Sequence, residues 1–257
     1  MELIDTHCHL DVSEFAGDRA EVRQRSGAAG LVGIVIPAIH AAGWADLLAL
    51  CASPRIGPTL YPALGLHPVY LDQHRESDLA ALERVVAAHR PVAIGEIGLD
   101  FFVRELNPAR QQHLFETQLD VARSARLPVL LHVRKAHAEM LATLRRLPPI
   151  GGIAHAFNGS QQQAHQYLDL GFKLGFGGML TFERSTKLRR LAAQLPLDSI
   201  VLETDAPDMT VAAHRGERNS PDYLPDVLAA LARIRAADPL ELATCTTANA
   251  RAVLRLT

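Results

Sequence analysis

Short runs of apolar, largely β-branched residues recur along the chain at residues 3–7, 31–37, 59–66, 92–97, 129–133, 152–156, 172–176 and 200–204. They read as strands buried on both faces, the pattern of a parallel sheet. Between them the spacing turns helical. Residues 78–88 place Leu79, Leu82, Val85 and Val86 on one side, with charged residues between. Residues 108–125, 136–147, 161–170 and 185–195 repeat that pattern, and two more helices are predicted over 221–236 and 239–254, after the eighth strand. Strands alternating with helices predict right-handed βαβ units. Eight of them predict a closed (β/α)8 TIM barrel rather than an open doubly wound sheet. No G-x-G-x-x-G or P-loop follows any strand, which counts against a nucleotide-binding sheet. A length of 257 residues suits one such barrel. No linker, low-complexity tract or short repeat divides the chain, so one domain over 1–257 is expected.

Composition narrows the picture. Apolar residues make up 48% and charged residues 21%, enough to bury a large core and too ordered a mixture for a disordered chain. The longest apolar runs, such as 31–39, fall far short of the roughly 20 residues a membrane helix needs. The start, Met-Glu-Leu-Ile-Asp, has no basic segment or apolar signal core, so a cytoplasmic protein with no membrane partner is expected. Cys8, Cys51 and Cys245 are widely spaced and form no C-x-x-C, which suits a reducing compartment. A net charge of −2 argues against a protein that coats long nucleic acid. Local basic clusters remain: Arg134 with Lys135, then Lys187, Arg189 and Arg190, then Arg215 with Arg218. Each suits either a phosphorylated ligand or a solvated helix face.

The candidate chemistry sits at strand ends. His7 and His9 flank Cys8, and alternation along a strand aims the two imidazoles to one face and the thiol to the other. Alone, H-x-H is a weak metal signal. Strand four, however, ends in Gly95-Glu96-Ile97-Gly98-Leu99-Asp100, strand five in Leu131-His132-Val133-Arg134, strand six in His155-Ala156-Phe157-Asn158, and strand eight in Glu203-Thr204-Asp205. In a barrel the C-terminal strand ends converge on one mouth, where active sites lie. Five strands would therefore deliver His7, His9, Glu96, His132, His155 and Asp205 to one place. Mixed imidazole and carboxylate ligands suit two divalent metal ions such as zinc, magnesium, manganese or iron. Glu96 is placed to bridge them through its two oxygens. Asp205 is placed both to bind a metal and to accept a proton from an attacking water.

At these motifs the chain resembles the TatD-like metal-dependent hydrolases of the wider amidohydrolase superfamily. The matching pieces are D-T-H-C-H-L at 5–10, G-L-H-P at 65–68, G-E-I-G-L-D at 95–100, L-H-V-R at 131–134, H-A-F-N-G-S at 155–160, E-T-D-A-P at 203–207 and R-N-S-P at 218–221. The resemblance spans the chain in order. It implies a divalent-metal-dependent phosphodiesterase, a deoxyribonuclease of exonuclease type, with DNA or another phosphodiester bound at an end. It also implies that His7, His9, Glu96 and Asp205 hold one metal while Glu96, His132 and His155 hold a second. Departures at Val69, at Ala156 and Asn158, and at Ala-Pro-Asp-Met after Asp205 fall near the mouth and remove no proposed ligand.

Other residues carry two readings each. His67 contacts a substrate phosphate or packs under a loop. Arg134 clamps a phosphate or forms an ion pair. Asn158 meets the substrate or forms a turn. Asn219 caps the helix near Pro221, Glu203 orients a ligand, and Asp100 does so or merely belongs to a loop. The alternative function is hydrolysis of a small-molecule ester, amide or lactone on the same barrel. Many binuclear relatives of that kind use a carboxylated lysine on strand four, but Lys135, Lys173 and Lys187 all lie elsewhere. A non-catalytic metal-binding protein is a third reading. No obligate protein partner is indicated.

Overall fold

Eight parallel strands follow one another around a single sheet in chain order, each hydrogen-bonded to the next. In the computed structural model, which describes residues 1–256, they are β1 (Leu3–Asp5), β2 (Leu31–Pro37), β3 (Thr59–Leu64), β4 (Ala93–Asp100), β5 (Val129–Arg134), β6 (Gly152–Ala154), β7 (Phe172–Phe176) and β8 (Ile200–Leu202). The helices are α1 (Arg19–Ala28), α2 (Trp44–Cys51), α3 (Glu76–His89), α4 (Pro108–Ala125), α5 (His137–Arg146), α6 (Gln161–Asp169), α7 (Thr186–Gln194), α8 (Leu224–Arg235) and α9 (Pro239–Leu254). The expected (β/α)8 barrel is what the chain forms. Among the described residues no helix is long and apolar enough to cross a membrane.

Alternate positions on the strands sort into two apolar layers. Ile4, Val35, Ala63, Ala93, Leu130, Ile153 and Val201 meet one another inside the barrel, where Ala250 and Leu254 of α9 join them. Their chain neighbours, such as Leu3, Ile34, Ile36, Leu131 and Leu202, pack outward against the helices. This is why the strands read as continuous apolar runs: both faces lose water. Helix α9 therefore plugs one end of the barrel and leaves the other end open to function.

Helices α1 and α2 leave little trace in the spacing. Helix α1 buries Val22, Arg23 and Ser26, so two of its three buried positions are polar. Ser26 returns its hydroxyl to the Val22 carbonyl at 2.7 Å, and Arg23 donates to the Ser53 hydroxyl at 2.9 Å and the Pro54 carbonyl at 3.2 Å. Helix α2 is only eight residues long.

Strands β1, β3, β6 and β8 end two residues earlier than the apolar pattern predicts, because the chain leaves the ladder there. The seam between β8 and β1 is closed by separate bonds. Thr6 donates from its backbone N–H and its hydroxyl to the Leu202 carbonyl at 3.1 and 3.0 Å, and the Asp205 N–H donates to the His7 carbonyl at 2.8 Å. Buried Asp5 completes the seam. One of its oxygens accepts the N–H groups of His7 and Thr204 at 3.1 and 3.0 Å, and the other accepts the Thr204 hydroxyl at 2.5 Å. Asp5 thereby fixes the backbone on either side of two candidate ligands. Strand β4, by contrast, runs three residues past its predicted end.

Asp5→Ala should leave the His7 and Thr204 N–H groups buried without acceptors. At about 1–3 kcal/mol per stranded donor the loss is roughly 2–6 kcal/mol. Asp5→Asn keeps the shared oxygen and should cost clearly less. Urea unfolding of both variants checks the order; equal losses would show that Asp5 acts by bulk rather than by these bonds.

Candidate metal centre

The open end of the barrel gathers side chains from six strand ends, and a slip in β4 decides which ones. Pairing with β5 shifts register between Ile94 and Ile97. Before the slip Ala93 faces the barrel interior and Ile94 faces the helices; after it Ile97 and Leu99 face the helices. Glu96, Gly98 and Asp100 consequently share the inward phase. Gly98 lies at φ +147°, and a Cβ there would collide with the His132 carbonyl oxygen, so only glycine lets β4 run this close to β5. Ala156 at φ +43° and Asp205 at φ +58° turn the chain at the ends of β6 and β8.

Five imidazoles converge on the Glu96 carboxylate. Glu96 Oε2 lies 3.1 Å from His7 Nε2 and 3.4 Å from His9 Nε2. Oε1 lies 2.9 Å from His132 Nδ1, 2.9 Å from His155 Nε2 and 3.2 Å from His67 Nε2. Asp205 Oδ1 stands 3.6 and 3.8 Å from the Nε2 atoms of His7 and His9. Three overlapping sets of donor atoms are each compact enough to hold an ion: His7 with Glu96 and His155, His7 with His9 and Asp205, and His67 with Glu96 and His132.

The partners of the far ring nitrogens fix which atoms carry hydrogen. His9 Nδ1 lies 3.2 Å from the Pro37 carbonyl and donates to it, so Nε2 keeps its lone pair. His132 Nε2 donates to Asp100 Oδ2 at 2.8 Å, so Nδ1 presents a lone pair to Glu96. A carboxylate holding the outer nitrogen of a ligand histidine is the usual support of a metal site. These lone pairs face carboxylate oxygens, and the Nε2 atoms of His7 and His9 face each other at 3.4 Å. A proton or a cation must lie between such acceptors, and the imidazole–carboxylate set suits a borderline divalent ion. His67 differs. Its Nδ1 accepts the Val69 N–H at 3.1 Å, so Nε2 bears the hydrogen and points a donor at Glu96.

Electrostatics follow the same grouping. Burial alone would raise the Glu96 pKa, but the imidazoles of His67, His155 and His7 outweigh it and hold the carboxyl well below its ordinary range. Burial lifts Asp205 to about 6 and drops His67 to about 4, which keeps it a neutral donor. For His155, burial is overcome by Glu96, and the ring is pushed well above its usual value.

Neighbouring residues hold this arrangement in place. Two buried glutamines of α4 each serve backbone at the end of a strand. Gln118 accepts the Leu66 N–H at 2.7 Å and donates to its carbonyl at 3.1 Å, fixing the approach to His67. Gln111 does the same for Asp100 at 2.8 and 2.9 Å. Asn219 donates to the Thr204 and Asp208 carbonyls at 2.8 and 2.6 Å. It braces the Asp205 turn and does not cap the following helix as the sequence suggested; the helix begins at Leu224, after a 3-10 turn over Pro221–Tyr223. Glu203 accepts the Ala156 N–H at 2.5 Å and lies 3.7 Å from His155 Nδ1.

A cavity of about 840 Å³ opens over the cluster, and its lining includes His67, Arg134 and Asn158. Arg134 is exposed, with Nη1 3.5 Å from Asp100 and its guanidinium 4.2 Å from the Phe102 ring centroid. Asn158 has local partners too: its Oδ1 lies 3.1 Å from His137 Nε2, and its Nδ2 donates to the Ala156 carbonyl at 3.2 Å. Tyr70 also lines the cavity, a contact that no periodicity in the sequence reveals. His67 joins the centre itself, closer than the substrate contact the sequence suggested.

The chain is similar over its length to known metal-dependent hydrolases. The family model described as TatD related DNase matches residues 4–255. The chain is 42% identical over 236 residues to the uncharacterized metal-dependent hydrolase YjjV of Escherichia coli strain K12, covering 90% of each chain. It is 33% identical over 261 residues to the 3'-5' ssDNA/RNA exonuclease TatD of Erwinia billingiae, covering 99% of each. A crystal structure of YjjV, a TatD homolog from Escherichia coli K12, superposes with a TM-score of 0.94 at 39% identity, covering 99% of this chain and 98% of that one. The chain belongs to the TatD-related DNase family.

A cation held at a hundredfold its Kd adds about 2.7 kcal/mol, roughly 5–10 °C of melting temperature for a chain of this size. Manganese or zinc should raise the melting temperature by that order, EDTA should reverse it, and Glu96→Ala should abolish the cation-dependent part. A shift that survives Glu96→Ala would place the ion elsewhere.

Proposed function

We propose that this chain is a divalent-metal-dependent phosphodiesterase that removes nucleotides from an end of single-stranded DNA or RNA. The observation that carries the reading is the division of one buried carboxylate: Glu96 Oε2 faces His7 and His9, and Oε1 faces His132 and His155. It is a TatD-family metal-dependent hydrolase with His, Glu and Asp clusters able to hold metal. His7, His9, Glu96 and Asp205 would hold one ion, and Glu96, His132 and His155 a second. When bound, such ions acidify a water and offset the charge that builds on phosphoryl oxygens.

The chain's own groups supply the rest. Asp205 is the cluster's carboxylate with solvent access, 16% exposed against 1% for Glu96. It takes a proton from the attacking water as the water oxygen bonds to phosphorus. The bond from phosphorus to the leaving nucleoside oxygen breaks, and that oxygen takes up the proton. His67 aims its Nε2–H at Glu96 and steadies that carboxylate. Asp100 keeps the His132 ring turned so that Nδ1 faces inward. The Erwinia relative's name, 3'-5' ssDNA/RNA exonuclease, supports the choice of substrate.

End-labelled single-stranded DNA with manganese or magnesium should shorten nucleotide by nucleotide, and EDTA should stop the reaction. Asp205→Asn should lower kcat by about 10²–10⁴-fold, the usual span for a lost general base, with the fold retained. Turnover of amides or lactones with no cleavage of any phosphodiester would replace this reading with small-molecule hydrolysis.

A further inference from the structure

Charge around the cavity is separated rather than paired. Arg134, at the end of β5 and 3.5 Å from Asp100, lines it together with Arg184 and Lys187 from the segment that follows β7. Among the described residues Arg184 and Lys187 have no carboxylate partner; Lys187 donates to the Asn158 carbonyl at 2.9 Å, and Arg184 lies 5.5 Å over the Phe182 ring. Glu14, Tyr70 and Asp208 line the same cavity from the segments that follow β1, β3 and β8. Neither carboxylate pairs with a cationic group: that of Glu14 accepts the Ser13 hydroxyl at 3.0 Å, and Arg218 reaches only the Glu14 backbone carbonyl, at 2.6 Å. Because the strands run in order around the barrel, the two groups occupy different sectors of the mouth, with the Glu96 cluster between them. Burial, with the charges of Asp208, Glu96 and Glu14, pushes the Tyr70 hydroxyl above its ordinary value, so the acids and the ring share one region.

We infer that this polarity sets which side of the cleaved bond the polynucleotide occupies: Arg134, Arg184 and Lys187 hold the phosphates of the retained strand, while Glu14, Asp208 and Tyr70 form a subsite for the terminal nucleoside that excludes any further phosphate. The inference rests on the phosphodiesterase reading above. Single strands bind through cationic grooves and aromatic faces that stack bases, and Tyr70, 39% exposed, offers such a face. Two unneutralised carboxylates beside it repel a phosphate on the outer hydroxyl of that nucleoside. End-directed cleavage then follows from charge alone, since a strand continuing past the site would carry its next phosphate into the acidic sector.

Two double variants of the full chain test this with its metal supplied. For wild type, kcat/KM on an oligonucleotide with a free hydroxyl at the attacked end should exceed that on the same oligonucleotide phosphorylated there by about tenfold or more. Glu14→Gln with Asp208→Asn should bring that ratio close to one. Arg184→Ala with Lys187→Ala should lower the ratio of kcat/KM for a decanucleotide to that for a dinucleotide, chiefly through KM. It should also flatten the salt dependence by about 1.4 log units per log of salt, at about 0.7 per lost phosphate contact on a single strand. Unchanged ratios in both variants, with wild type still cleaving the dinucleotide, would overturn the inference and leave the phosphodiesterase standing. Wild type that cleaves no diester at all would overturn both.

Discussion

Five imidazoles crowd one buried carboxylate, and the mouth of this barrel is organised around that fact. An ionised carboxylate taken out of water costs several kcal/mol unless it is paired. Glu96 meets that demand with His7, His9, His67, His132 and His155, all within 3.4 Å. His9 and His132, whose outer nitrogens donate to Pro37 and Asp100, turn inward nitrogens toward Glu96 that it cannot satisfy without a proton or a cation between them. A protein that stabilised itself would avoid such a cluster. Here it makes chemical sense as a cradle for positive charge, with each oxygen of the carboxylate facing its own group of rings.

The surrounding structure serves to keep that cluster from relaxing. His7, His9, His67, His155 and Asp205 sit just past the point where a strand leaves its ladder and the backbone would lose hydrogen bonds. Asp5 answers for the segments beside His7 and Asp205, Gln118 and Gln111 for those beside His67 and Asp100, and Asn219 for the turn after Asp205. All four are polar residues buried at the mouth. The apolar layers and the α9 plug hold the barrel; these polar residues set the angles at which it presents its ligands.

Much of this was legible in the chain itself. Apolar runs marked all eight strands because parallel strands bury both faces, and strand-end histidines and carboxylates pointed to one mouth once the barrel was inferred. Less visible was anything set by irregular backbone. The β4 slip between Ile94 and Ile97 turns Glu96 inward, and strict alternation from Ala93 would have turned it out. His67 read as a substrate contact because its loop gives no period, yet it reaches the carboxylate. Asn219 read as a helix cap because its neighbours fit one, but its amide goes to loop carbonyls instead. Helix α1 escaped notice because its buried face is mostly polar, and Tyr70 because its contacts depend on where separate loops meet.

Anomalous diffraction from crystals soaked in manganese distinguishes a built metal centre from a merely crowded cluster. Two peaks should flank Glu96, one between Oε2 and the rings of His7 and His9 beside Asp205, the other between Oε1 and the rings of His132 and His155. A mouth without a peak, its imidazoles turned away from Glu96, would contradict a built centre.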